Sequence, residues 1–203
     1  MIFKDRMDAG EKLSVELLKD KVLLKNRKNI IVVSLLRGGV DVGKTIAKKL
    51  KTDHVPLAVT KIGSPFNPEL AIGAICFDTV YLQEDIIKRL ELKDEALNLQ
   101  ISLAKIKHKE YIKKFSLEKI QYERKLKNKI PIIVDDGIAT GATTKAALLF
   151  VRSKKPKKII LAIPVAPTDF DSKGFDRTII LYKEPFFSSV SQFYENFPQV
   201  NAI

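Results

Sequence analysis

Five short runs rich in β-branched residues constrain this chain most: Ile30–Leu36, Val55–Val59, Ile130–Val134, Ile159–Ile163 and Thr178–Leu181. They are apolar throughout rather than alternating, the pattern of strands buried on both faces in a parallel sheet covered by helices. Helical patterns lie between them. Asp8 and Glu11 are spaced as an N-cap and its N3 partner, and Ala9, Leu13 and Leu17 then share one face. Val42, Ile46 and Leu50 form a second stripe, ringed by lysines, and Ala142, Ala146, Leu149 and Phe150 a third. A long charged helix is expected from about Lys93 to about Lys127, with a break near Phe115 and Ser116. The order β-α-β, a Pro-rich loop, more helix and β-α-β predicts one α/β domain over residues 1–203, a doubly wound parallel sheet flanked by helices. The stretch KIGSPFNPEL (Lys61–Leu70) reads as the least regular loop.

In such sheets ligands bind where strand C-termini meet helix N-termini, so the ends of the runs near Leu36, Val59 and Val134 should border one crevice. Two motifs fall there. The first, Gly38–Thr45, reads GGVDVGKT and fits the P-loop pattern G-x-x-x-x-G-K-[ST]. The second is PIIVDDGIATGATTKAAL (Pro131–Leu148). There an apolar strand runs into Asp135 and Asp136, then a small-residue loop and a helix. The loop N–H groups and the helix N-terminus favour a phosphate. Hydroxyls of Thr140, Thr143 and Thr144 can add hydrogen bonds, and Gly141 permits close approach. Paired carboxylates upstream can accept from two sugar hydroxyls, so the motif as a whole suits a ribose 5-phosphate. On a P-loop reading Asp135 or Asp136 would hold Mg²⁺ for a nucleoside triphosphate, but the TGATT loop would then have no role. The competing reading makes Leu36–Gly39 a pyrophosphate-binding turn and leaves Lys44 and Thr45 as ordinary helix residues.

IIVDDGIATGATT closely resembles the phosphoribosyl-pyrophosphate (PRPP) motif of type I phosphoribosyltransferases, and VVSLLRGGV resembles that family's pyrophosphate loop. RMDAGEKL, KIGSPFNPELAIGAI and PFFSSVSQFYENF extend the likeness to an archaeal and bacterial branch of predicted phosphoribosyltransferases. The resemblance implies a core of about residues 22–182 and a small hood from the terminal segments, about 1–21 and 183–203. It implies a Mg²⁺-dependent enzyme that joins a nucleobase-like nitrogen acceptor to PRPP and releases pyrophosphate, as in nucleotide salvage. Asp135 and Asp136 would be the catalytic pair at the ribose hydroxyls, touching Mg²⁺ through water. Ala139, Thr140, Gly141, Ala142, Thr143 and Thr144 would cradle the 5′-phosphate. Leu36, Arg37, Gly38 and Gly39 would hold pyrophosphate, with Lys61 a further contact, and GSPFNPEL would be a closing loop. Phe186 and Phe187 are candidates to stack on the base, whereas Phe193 and Phe197 are expected in the hood's own core. One departure stands out: family members acting on 6-oxopurines usually carry Asp where this chain has Ala139, and alanine cannot act as that acid or base. A non-catalytic PRPP- or nucleotide-binding regulator on the same fold and a P-loop NTPase or kinase are the alternatives.

Composition narrows the partners. The net charge is +12, and ten Lys/Arg against three Glu fall between Lys105 and Lys129. That surface suits an anion, but no nucleic-acid-binding signature accompanies it, so PRPP and a small-molecule acceptor are the expected partners rather than nucleic acid. The single Cys76 excludes an internal disulfide, and with only His54 and His108 a Cys- or His-based metal cage is not expected. His54 reads as structural, His108 as solvated on the basic helix, and Cys76 as a small buried hydrophobe. No apolar run is long enough for a bilayer and the N-terminus lacks an apolar signal core. A cytoplasmic homodimer is the default expectation.

Overall fold

The computed structural model describes residues 2–200. Five parallel strands form the central sheet: β1 (Ile30–Leu35), β2 (Asp53–Leu57), β6 (Ile130–Val134), β7 (Ile160–Pro167) and β8 (Arg177–Glu184), in the order β2-β1-β6-β7-β8. Every residue of β1 and β6 is buried, as is nearly all of β7. The uniformly apolar reading therefore holds for these three central strands. It holds also for Val55–Val59 apart from half-buried Pro56, although β2 is a sheet edge, and it fails for β8, the other edge, where Thr178–Leu181 are all half-buried.

Alternation along the strands divides the core. Ile30, Val32, Ile132 and Val134 face α1 (Arg6–Leu18) and α3 (Gly39–Leu50) through Leu13, Leu17, Val42, Ile46 and Leu50. Ile31, Val33, Leu35 and Ile133 face the other way, toward α7 (Ala142–Ser153) and α6 (Lys119–Leu126). Ala142, Ala146 and Phe150 of the α7 stripe are buried as expected, but Leu149 is 46% exposed; Ala147 and Val151 take the inward positions instead. The cap of α1 also lies three residues earlier than expected. Asp5 Oδ1 accepts the Asp8 N–H at 2.8 Å, and Asp8 pairs with Lys12 one turn on. This extra turn brings Arg6 into the helix, and a short α2 (Lys21–Lys25) follows before β1.

The segment after β2 is more ordered than its Pro and Gly content suggests. β3 (Thr60–Gly63), β4 (Ala71–Cys76) and β5 (Thr79–Leu82) form a second, antiparallel sheet, so Lys61 lies on a strand and only residues 64–70 loop. Pro68 O sits 2.6 Å from where a Gly63 Cβ would be, so the turn admits only glycine there. After β5 come α4 (Glu84–Arg89), then α5 (Asp94–Lys114) and α6. The expected long helix does break after Phe115, where Ser116 takes a left-handed φ of 49°. The two terminal segments meet: Phe3 bridges Tyr194, and Phe3, Ala9, Val165, Phe193 and Tyr194 make a small core of their own. No helix among the described residues is long and apolar enough to cross a membrane.

Candidate active site

β1 and β6 are adjacent and parallel, with Ser34 opposite Val134. They therefore deliver the Leu36–Gly39 turn and the Asp135–Asp136 pair side by side at the C-terminal edge of the sheet. The two loops interlock. A Cβ on Gly38 would lie 2.0 Å from Asp136 Oδ2, and one on Gly39 2.7 Å from Val134 O and 2.9 Å from Asp135 Cα. Only glycine lets the first loop lie against the second. The Leu36–Arg37 peptide is cis. α3 starts at Gly39, so Val40–Thr45 are helical rather than wrapped as a phosphate loop. Lys44 is exposed on that helix, and Thr45 Oγ–H donates to Asp41 O within it. This overturns the P-loop reading of GGVDVGKT.

The acidic pair is wired to the chain termini. Asp136 N–H donates to Asp135 Oδ1 at 2.9 Å. Arg6 Nε–H donates to Asp136 Oδ2 at 2.8 Å, while Arg6 Nη1 donates to Pro198 O at 2.7 Å. The Arg6 guanidinium lies 3.7 Å from the centre of the Phe197 ring, and Tyr194 Oη–H donates to Asp136 O. Burial, and then the neighbouring carboxylate, push the Asp135 carboxyl well above the usual range. Burial also raises Asp136, against the opposing pull of Arg6. A part-buried carboxylate pair of this kind, with Asp136 already paired to Arg6, suits a ligand that brings hydroxyl donors or its own cation.

A crevice of about 680 Å³ opens over the pair. Leu36, Arg37 and Gly38 form one side; Val59, Thr60 and Lys61 form another. Lys107 and Tyr111 reach in from α5, and Phe197–Val200 close the side next to Arg6. Arg37, Lys61 and Lys107 thus face Asp135 and Asp136 across one cavity. Lys61 Nζ meanwhile pairs with Glu69 Oε2 at 3.0 Å on an exposed rim. Among the described residues no group of three or more His, Cys, Asp or Glu could hold a metal.

Ala139 and Thr140, both exposed, follow the acidic pair and precede Gly141, the N-cap of α7 at φ 78°. Lys145 N–H donates to Gly141 O, leaving the earlier N–H groups of the first turn free of helical partners. Thr144 Oγ1 is fully buried and has no partner among the described residues, and Thr143 is partly buried beside it. Gln83 Nε2 donates to Thr140 O at 2.8 Å, tying this loop to the end of β5. A Cβ on Gly141 would also meet the Phe170 ring at 2.8 Å. Gly141→Ala is therefore expected to cost about 1–2 kcal/mol for the left-handed backbone alone, a fall of roughly 2–8 °C in Tm, read by thermal unfolding.

The structure separates the remaining expectations. Phe186 is 87% exposed and Phe187 packs on Phe193; neither lines the crevice. Phe197 packs on the hood core as expected, its ring 4.8 Å from that of Tyr194, and also borders the crevice. His108 is not solvated: it is 2% exposed, accepting from the Phe77 N–H and bonded to Thr60 Oγ1. An amphipathic α5 turns it inward between the lysines. His54 is structural, bonded to Ser34 Oγ at 2.8 Å, and Cys76 is buried. Arg6, Thr60, Lys107 and Tyr111 were not evident as site residues. Arg6 carried only a weak signal, its place in the RMDAGEKL segment two residues before the expected cap. Lys107 was one lysine among many.

Comparison with known proteins agrees with this geometry. A model described as "Phosphoribosyl transferase domain" matches residues 78–178. Two curated proteins from Mycobacterium tuberculosis strains, named "Putative phosphoribosyl transferase" MT0597 and Rv0571c, are each 36% identical over 98% of this chain. The chain spans 44% of their length, so each carries a large further segment. The crystal structure of TT1426 from Thermus thermophilus superposes with a TM-score of 0.69 at 26% identity, covering 98% of this chain and 93% of that one. AQ2163 from Aquifex aeolicus shares the fold at a TM-score of 0.51 and 16% identity, over 85% of this chain and 70% of that one. The acidic strand end and the small-residue loop lie inside the matched region and the glycine turn is locked against them, and the chain belongs to the phosphoribosyltransferase family.

Proposed function

We propose that the crevice binds PRPP and transfers its phosphoribosyl group to a nucleobase-like nitrogen acceptor, releasing pyrophosphate. The observation that carries this is the fit of Gly38 and Gly39 against Asp135 and Asp136, which sets a cationic turn and a diol-accepting pair on one cavity. In the reaction the C1–O bond to pyrophosphate breaks as the C1–N bond forms, through an oxocarbenium-like state. Asp135 and Asp136 accept the ribose hydroxyls and lie near the developing positive charge. Ala139–Thr144 present N–H groups and threonine hydroxyls to the 5′-phosphate. Arg37 and Lys61, with the backbone of Leu36–Gly39, hold the pyrophosphate as it leaves. Of the aromatic residues in the tail, Phe197 rather than Phe186 or Phe187 borders the cavity and is available to the acceptor.

The donor set fits Mg²⁺ carried by the substrate. Mg²⁺ keeps most of its waters and takes one or two carboxylates beside phosphate oxygens; Asp135 is free to contribute, while Asp136 is engaged by Arg6. When bound, the ion would neutralise charge on the departing pyrophosphate.

Calorimetric titration tests this reading. Wild type and Lys44→Ala should both bind Mg²⁺–PRPP, and neither should bind Mg²⁺–ATP through Lys44. Asp136→Asn should weaken PRPP by about 10- to 100-fold, the cost of one charged hydrogen bond. A panel of bases followed by pyrophosphate release then identifies the acceptor. ATP binding that Lys44→Ala removes would sink the proposal.

A further inference from the structure

His108 is buried behind the crevice wall and bonded to Thr60, which lines it, and its hydrogen bonds leave it a single protonation pattern. The Phe77 N–H can only donate, and it points at His108 Nε2 at 2.8 Å, so Nε2 must be the acceptor. The other ring nitrogen, Nδ1, lies 2.8 Å from Thr60 Oγ1. If Nδ1 also accepted, the ring would carry no proton at all, an imidazolate that does not form near neutral pH. Nδ1 therefore carries the proton and donates to Thr60 Oγ1. Burial holds the ring neutral by pushing its pKa down to about 4. The Thr60 oxygen thus accepts from the histidine, and its own proton has no protein acceptor among the described residues.

Thr60 lines the crevice on the side of the cations. Its chain neighbour is Lys61, and Lys107 and Tyr111, one helical turn apart on α5, flank His108. We infer that Thr60 is a substrate-binding hydroxyl that donates to an oxygen of the pyrophosphate group, and that His108 is a positioning residue that fixes this donor direction from behind. The inference rests on the PRPP reading and adds α5 to the pyrophosphate end of the site. A threonine left free would split its time between donating and accepting. Backed by an Nδ1–H donor, it has one lone pair taken and its proton turned away from the ring toward the cavity, which suits a ligand oxygen that carries negative charge and no proton.

The ligand for the test is Mg²⁺–pyrophosphate, with ribose 5-phosphate as the control that does not reach this end. Thr60→Val keeps the shape and removes the hydroxyl. It should weaken pyrophosphate by about 10- to 100-fold and leave ribose 5-phosphate unchanged, while Thr60→Ser binds within a few-fold of wild type. His108→Phe should weaken pyrophosphate as well, but should add nothing in the Thr60→Val background, because it acts through that hydroxyl. ¹⁵N NMR of the two imidazoles should find His108 as the Nδ1–H form, a readout that does not depend on binding. Thr60→Val binding pyrophosphate like wild type, an Nε2–H tautomer at His108, or additive losses in the double variant would each overturn the inference. Wild type failing to bind both PRPP and pyrophosphate would instead overturn the underlying reading, and this inference with it.

Discussion

Gly38→Ala is expected to fold and yet to bind Mg²⁺–PRPP about 100-fold more weakly, or not at all. The added methyl would sit 2.0 Å from Asp136 Oδ2 and 2.5 Å from its Cγ, so something must move. The obstacle is a side chain, so the carboxylate swings away before the backbone does. In swinging it leaves Arg6, and with it the position from which it would meet the ribose. Each charged hydrogen bond lost is worth about 1.5–3 kcal/mol, and a displacement near 1 Å at a reacting centre alone costs about 10²-fold. Arg6 is only 7% exposed, so unpairing it also lowers stability; broken buried pairs typically cost about 3–5 kcal/mol. Gly39→Ala provides the contrast. Its obstacles, Val134 O and Asp135 Cα, are backbone atoms of the central strand end, so this variant should lose stability first, with no carboxylate motion to relieve it. Calorimetric titration beside thermal unfolding separates the two. If Gly38→Ala binds PRPP like wild type, the two loops do not act as one site.

What the sequence showed follows from how far each signal reaches along the chain. Strands β1, β6 and β7 and the loops after β1 and β6 are local: an apolar run, a turn and a helix start follow one another directly along the chain. The second sheet was hidden because Gly63, Pro65 and Pro68 dominate the reading of a segment whose strands are only four to six residues long. Arg6 and Asp136 are 130 residues apart. Nothing in the pattern around either one names the other, and the helix start that carries Arg6 is one turn earlier than the best local cap. His108 illustrates the same limit. Flanked by Lys107 and Lys109 it reads as solvated, and only the packing of α5 on β3 and β4 buries it. Local pattern therefore revealed the two loops that meet at the crevice, while the side chains that tune the charged pair came from contacts between distant segments.

Asp135→Asn should make the ligand-free protein more stable while weakening Mg²⁺–PRPP by about 10- to 100-fold. The Asp135 carboxyl is raised well above its ordinary value by burial and by Asp136, so its charge is a burden on the fold. Below about pH 3.9, the ordinary carboxylate value, the group is protonated whether folded or unfolded and costs nothing. As pH rises from there, the unfolded chain releases the proton while the folded chain keeps it. The folded state then binds more protons, and stability falls with pH until the folded group ionises too. The burden is therefore full at pH above the raised value and absent at acid pH. Asparagine keeps an oxygen to accept the Asp136 N–H and removes the charge. The gain should be about 0.5–2 kcal/mol near neutrality, in line with relief of other strained functional sites, or a few degrees in Tm. It should vanish as pH drops below about 4. Thermal unfolding of both proteins from acid to neutral pH, paired with PRPP titration, checks it. A variant that is less stable at neutral pH would mean that Asp135 is ionised and well compensated without ligand, and that the acidic pair is a structural pair rather than one waiting for ribose hydroxyls.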